Sequence, residues 1–290
     1  MPAGSNPTVG VIGLGAIGAG VAGALASSDM ALVVCDIRSE ATKPFEGKAH
    51  VAADLHDVGA RCDVVLVAVV DDQQLRSVLE APGGALATMK AGGSVVVLST
   101  VSVPTLLAVA QTASQVGVSV VDCGVTGGPV AASSGDLASM LGGSDEAVDA
   151  VRPVVDTFSS LVEHMGPLGA GMQAKLARNV VQYGAWLAAY EGQKLAEAAG
   201  IELAKLANVI RTSEQHTGGT TRLMFRPTVA PFTPDDPEFV VDAMRAGATL
   251  AHKDLKAALS MAESLGVDAP LARLTEASAD AMFGMSEERS

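Results

Sequence analysis

The chain opens on short apolar blocks whose spacing predicts strand, turn, helix and strand in quick succession. Val9–Ile12 is an apolar run, Ala19–Ser27 a stretch of small helix-forming residues, and Ala31–Cys35 a second apolar run that stops at Asp36. Between the first run and the helix stands Gly13-Leu14-Gly15-Ala16-Ile17-Gly18, a G-x-G-x-x-G turn, so the whole has the size of a βαβ unit of about 30 residues. After a polar segment from Ile37 to Ala60, Val64–Val70 is a continuous apolar run that suits a strand covered on both faces. Ser94–Leu98, Val118–Val121 and Ala138–Leu141 are further strand candidates, and Pro104–Gln115 and Asp145–Phe158 read as helices. Pro104 suits a first turn, where its missing N–H is no loss. Strand and helix alternate to about residue 165, which predicts a Rossmann-type doubly wound α/β sheet with ligands at the carboxyl ends of its strands.

Gly166-Pro167-Leu168-Gly169 breaks this pattern, and no strand signal follows it. Gly171–Ala199 reads as one helix of roughly 30 residues, some 45 Å long at 1.5 Å per residue. Its run of Ala, Leu and Val with few charges predicts burial on several sides. Glu202–Thr212, Pro237–Leu265 and Pro270–Phe283 continue as helices, and Ser213–Pro234, rich in Gly, Pro and Thr, reads as a loop. The expected organisation is a Rossmann-type domain over residues 1–167 and an all-helical domain over 168–290, joined by the long interdomain helix.

Composition narrows the function. The net charge of −13 argues against nucleic acid or an anionic membrane as partner, and it requires that an anionic substrate be drawn in by local positive groups. Three cysteines, Cys35, Cys62 and Cys123, lack metal-ligand spacing and read as small hydrophobes in strands of a reduced, cytoplasmic protein. The histidines show no ligand pattern, so no metal site is expected. MPAGSNPT has neither a basic nor an apolar leader segment, and no apolar run approaches the roughly 18 residues of a membrane span.

Four stretches carry candidate chemistry. In the first, Gly13 permits the tight turn, Gly15 lets the backbone approach a pyrophosphate, and Gly18 lets helix and strand pack closely, with the helix N-terminus facing the phosphate. Asp36 stands where a carboxylate accepts a hydrogen bond from a ribose 2′-hydroxyl, which points to NAD, with NADP as the alternative because Arg38 is near. In the second, Val121-Asp122-Cys123-Gly124-Val125-Thr126-Gly127-Gly128 ends a strand in a glycine-rich loop. That loop is either a carboxylate cradle of backbone N–H groups and the Thr126 hydroxyl or a plain turn. In the third, Gly169-Ala170-Gly171-Met172-Gln173-Ala174-Lys175 opens the long helix, with Lys175 and Asn179 four apart on one face. A lysine there is a solvated surface group unless its apolar surroundings enclose it. The fourth, His252-Lys253-Asp254-Leu255, is either an exposed charge pair or part of a site.

Taken in order, these stretches resemble the β-hydroxyacid dehydrogenases typified by 3-hydroxyisobutyrate dehydrogenase, over nearly the whole chain. GLGAIG resembles that family's GLGxMG cofactor loop and DCGVTGG its DAPVSGG substrate loop. GAGMQAKLARN resembles GxGxxxKxxNN, and HKDL resembles the KDL segment. The resemblance implies that Gly13, Leu14, Gly15, Ala16, Ile17, Gly18 and Asp36 bind the cofactor. Thr100, in a segment similar to the family's SST, and Lys253 would lie near it. It further implies that Thr126, Gly127 and Gly128 hold the substrate carboxylate, that Lys175 is catalytic and that Asn179 holds the substrate. A homodimer or homotetramer is expected on the same ground.

Three departures put the substrate in question: Thr126 for serine, Arg178 for the first asparagine of the pair, and Ala246 where the family often has an aromatic. The expected reaction is reversible NAD-dependent oxidation of a small β-hydroxy acid to the semialdehyde or oxo acid. The alternatives are an imine or other carbonyl reductase on the same fold, and a non-catalytic dinucleotide-binding regulator. Lys175 weighs against the imine reading, since the imine-reducing relatives generally lack a lysine there.

Overall fold

The computed structural model describes residues 6–285; most of the MPAGSNPT segment, on which the leader expectation rests, lies outside them. Two compact units divide the chain, residues 1–178 and 179–290, and the division falls inside the long helix.

In the first unit the strands are β1 (Thr8–Ile12), β2 (Ala31–Cys35), β3 (His50–Val51), β4 (Val64–Val67), β5 (Ser94–Val97), β6 (Ser119–Thr126), β7 (Leu137–Gly142) and β8 (Ser159–Gly166). They form one sheet in the order β3-β2-β1-β4-β5-β6-β7-β8, parallel throughout except where β6 and β7 run antiparallel. The helices between them are α1 (Ala16–Ala26), α2 (Ser39–Thr42), α3 (Leu55–Arg61), α4 (Asp72–Glu80), α5 (Val103–Gln115), α6 (Gly128–Ser134) and α7 (Asp145–Val155). Alternate residues of a strand point to opposite faces, and here both faces are covered. Val9, Val11, Val34, Leu66, Val96 and Val121 enter one apolar core. Ile12, Val33, Val65, Val67, Val95 and Val97 enter the other. That double burial is why the central strands read as unbroken apolar runs.

Several boundaries differ from the pattern. β4 stops at Val67 because Ala68–Val70 leave the sheet, and Val70 is exposed. β6 runs on to Thr126, so the substrate-loop sequence is mostly strand, with only Gly127 and Gly128 beyond it. β8 was not expected: it is an edge strand with charged and exposed positions, which erase the apolar signal. Cys62 lies at the end of α3 rather than in a strand.

The helix α8 (Ala170–Ala198) leaves the first unit and continues in the second with α9 (Leu203–Thr217), α10 (Glu238–Ser264), α11 (Pro270–Ala277) and α12 (Ala279–Met282). Packing here rests on small residues such as Ala248, Ala262 and Ala279, together with polar ties. Glu191 on α8 is buried and accepts the Leu271 and Ala272 N–H groups at the start of α11 at 3.0 and 2.7 Å. His252 on α10 bonds Glu276 on α11 at 2.9 Å and pairs with Asp280 on α12 at 3.3 Å. The expectation that α8 is buried on several sides does not hold in the single chain: Tyr183, Trp186, Leu187 and Tyr190 are all more than half exposed. Among the described residues no helix is long and apolar enough to cross a membrane.

Candidate active site

The glycine turn lies at the carboxyl end of β1, and each of its glycines has a separate physical reason. Gly13 adopts φ +89°, and a Cβ there would sit 2.4 Å from the Ala68 carbonyl oxygen. At Gly18 a Cβ would fall 1.9 Å from the Gly13 carbonyl oxygen, so the helix can start this close to the strand only without a side chain. Gly15 has nothing within 4 Å of its would-be Cβ. The protein itself therefore does not require glycine at position 15. The open space beside the N-terminus of α1, whose first turn carries no acidic residue, fits an anionic ligand. A dinucleotide's pyrophosphate fits this cradle.

Asp36 follows β2 and reaches back to the same turn. Its Oδ2 accepts the Leu14 N–H at 2.7 Å, and its Oδ1 accepts the Arg38 N–H at 2.9 Å and the Arg38 Nε–H at 3.0 Å. Burial raises the carboxyl pKa, but the bonds from Arg38 and Leu14 outweigh it and hold the group below its ordinary value. The carboxylate is thus ionised, fixed, and screened on one side by a guanidinium. Ser99, at the end of β5, accepts the Val69 N–H through its hydroxyl at 2.7 Å and ties the loops after β4 and β5 together. Thr100 follows it and is exposed.

The second cluster joins the end of β6 to the start of α8. Lys175 is half-buried, and its ammonium donates to the Val125 carbonyl oxygen at 2.5 Å, one residue before Thr126. Burial, and then the charge of Arg178, pulls its pKa below the ordinary lysine value. The surroundings of this lysine are therefore not those of a solvated side chain. Gly127 and Gly128 both adopt positive φ, +126° and +75°, as the chain turns from β6 into α6. The sequence reading assigned no role to Asp122, which is wholly buried on β6 and accepts the Gly169 and Met172 N–H groups at 2.6 Å each. Burial raises its pKa against the lowering effect of those bonds. A charged residue inside an apolar strand was the available signal.

The structure brings Gly13–Gly18 together with Asp36, and Lys175 together with the strand end that carries Thr126. Asn179 and Lys253 belong to the second unit. Asn179 is half-buried on α8, and Lys253 is exposed on α10 beside its neighbour Asp254, 3.2 Å away. Cys123 is fully buried and its pKa is pushed up to about 12 by that burial, so it offers no nucleophile.

Residues 8–166 match the family model of the NAD-binding domain of 6-phosphogluconate dehydrogenase, and residues 169–288 match that described as NAD-binding of NADP-dependent 3-hydroxyisobutyrate dehydrogenase. An uncharacterized oxidoreductase of Mycobacterium tuberculosis is 41% identical over 270 residues, 93% of this chain and 90% of that protein. The L-threonate dehydrogenase of Cupriavidus necator is 33% identical over 207 residues, 71% of this chain and 70% of that protein. A crystal structure from Mycobacterium avium superposes with a TM-score of 0.90 at 35% identity, covering 97% of this chain and all of that one.

Proposed function

The chain belongs to the 6-phosphogluconate and 3-hydroxyisobutyrate dehydrogenase family of NAD(P)-dependent oxidoreductases, and from that premise we propose that it reversibly oxidises a small β-hydroxy acid, with NAD preferred over NADP. The observation that carries this reading is the half-buried Lys175 ammonium, held 2.5 Å from the Val125 carbonyl at the mouth of the Thr126–Gly128 turn. The nicotinamide, when bound, supplies the hydride acceptor. Lys175 as an amine takes the hydroxyl proton in oxidation, and as an ammonium it stabilises oxyanion charge and returns the proton in reduction. Burial and the charge of Arg178 lower its pKa, which favours the amine relative to an ordinary lysine. The Thr126 hydroxyl and the N–H groups of Gly127 and Gly128 hold the substrate carboxylate, which fixes the carbon that reacts. Asn179 and Lys253 keep the parts that the resemblance gives them, substrate positioning and a place beside the nicotinamide.

NAD preference rests on Asp36, whose ionised carboxylate accepts a ribose hydroxyl and repels a 2′-phosphate. For the substrate we favour a β-hydroxy acid bulkier than 3-hydroxyisobutyrate or carrying a second polar group. Ala246 takes the place of an aromatic, and the Cupriavidus relative is named for L-threonate. Assembly into a homodimer or homotetramer is supported by the exposed apolar side chains of α8.

Initial rates with NAD+ and NADP+ over β-hydroxy acids of graded size test this. Lys175→Ala should lower kcat by about 10²–10⁴-fold, the usual weight of general acid–base catalysis, while NADH still binds. Turnover of cyclic imines but of no hydroxy acid would overturn the reading, as would a Lys175→Ala enzyme with wild-type kcat. A peak of kcat/KM at 3-hydroxyisobutyrate would overturn the substrate choice alone.

A further inference from the structure

The start of α8 is tied to β6 by one buried carboxylate. A helix leaves its first N–H groups without partners of its own. Here Asp122, 47 and 50 residues earlier in the chain, accepts two N–H groups of this entry into α8, those of Gly169 and Met172. Glycines on both sides make the space that the carboxylate fills. A Cβ at Gly142, its partner on β7, would lie 2.3 Å from Oδ1, and a Cβ at Gly171 would lie 2.9 Å from Oδ2.

Lys175 follows Met172 by three residues, just under one turn, so the depth and rotation of the first turn decide where its side chain leaves the helix. Gly124 on the same strand makes room for it, since a Cβ there would be 2.6 Å from the Lys175 Cβ. Val125, the next residue, supplies the carbonyl that receives the ammonium. Strand β6 thus carries, within four residues, the anchor for the helix, the gap for the lysine stem and the acceptor for its charge.

We infer that Asp122 is a positioning residue: through its bonds to the Gly169 and Met172 N–H groups it holds the first turn of α8 where Lys175 reaches the substrate end of β6. The inference rests on the proposed role of Lys175 at the reacting oxygen. Asp122→Asn is the informative change. It keeps the size of the side chain but turns one acceptor into an NH2 group that faces an N–H donor, so one of the two ties is lost.

The expected result is a kcat lower by about 10²-fold, the effect of an ångström-scale misplacement, with NADH affinity and cooperative unfolding retained. The apparent pKa of kcat for oxidation should also rise, as the lysine leaves its half-buried place. Gly142→Ala keeps the carboxylate but presses on Oδ1, and it should move kcat and the pKa in the same directions. It alone decides the question if Asp122→Asn does not fold. A folded variant with wild-type kcat and pKa would overturn the inference. So would a fall in kcat that only tracks lost folded protein, with the pKa unmoved. Lys175→Ala measured alongside separates the levels. Full activity in that variant removes the proposed function itself. Its inactivity beside a fully active Asp122→Asn removes only the positioning role.

Discussion

Replacing Asp36 by alanine should turn the cofactor preference toward NADP, and the geometry around β2 sets the size of the effect. In the wild-type protein the carboxylate holds Arg38 through its N–H and Nε–H, while the Arg38 side chain remains 55% exposed. Removing it has three consequences. The Leu14 N–H loses its acceptor, which loosens the glycine turn, but this harms both cofactors alike and cancels in their ratio. NAD loses a charge-assisted ribose hydrogen bond, worth about 1.5–3 kcal/mol. NADP is relieved of repulsion between carboxylate and 2′-phosphate, about 4 kcal/mol per pair of unit charges at 4 Å in an effective dielectric near 20. The Arg38 guanidinium beside the carboxylate, on a side chain 55% exposed, offsets much of that second gain.

A combined shift of about 2.7 kcal/mol, or a hundredfold in the ratio of kcat/KM for the two cofactors, is the expected outcome. Steady-state rates with NAD+ and NADP+ on one hydroxy acid measure it directly. Arg38, freed from its partner, should supply part of the gain, so Asp36→Ala combined with Arg38→Ala should fall back toward equal use of the two. An unchanged ratio in the single variant would refute the assignment of Asp36 to the ribose.

Three other perturbations follow from the same structure. Because the Lys175 pKa is lowered by burial and by Arg178, kcat for oxidation should rise with pH and level off through an apparent pKa below the ordinary lysine value of about 10.4. The reductive rate should fall over the same range, and a flat profile in both directions would exclude Lys175 as the proton carrier. Gly15→Val should leave the melting temperature unchanged yet weaken NADH binding, since its backbone is extended and its neighbourhood empty. Gly18→Val should instead unfold the turn, and fluorescence titration with thermal melts separates the two. The His252 pKa is raised by its hydrogen bond to Glu276 and by Asp280. Its stabilising contribution is therefore fully present below about pH 6.5, the unfolded value, and is lost as pH rises through the folded one. His252→Gln should lower the melting temperature in mildly acidic buffer and much less in alkaline buffer; an equal loss at both would contradict the pairing.

The sequence alone determined those features whose causes are contiguous. The first strand, the glycine turn, α1, β2 and Asp36 all lie within residues 8–36, where strand period, glycine spacing and a terminal acid can be read without knowing the fold. The buried parallel strands were legible because burial on two faces leaves few polar positions. β8 was not, because as an edge strand it tolerates Glu163 and His164, and its pairing with β7 is what makes it a strand.

The tertiary structure alone decided how the candidate site is held together. Lys175 on its own reads as an ordinary helix lysine. Its lowered pKa comes first from burial that no local pattern encodes and then from the charge of Arg178, while its ammonium is held by the carbonyl of Val125, 50 residues earlier. Asp122 reads as an oddity in a strand until the fold brings the start of α8 onto it. The pairing of Arg38 with Asp36 is local in sequence, but it depends on the direction in which the chain leaves β2. Hydrogen bonds and burial act across space, so residues far apart in the chain set one another's ionisation and position only once the sheet has brought its strand ends together.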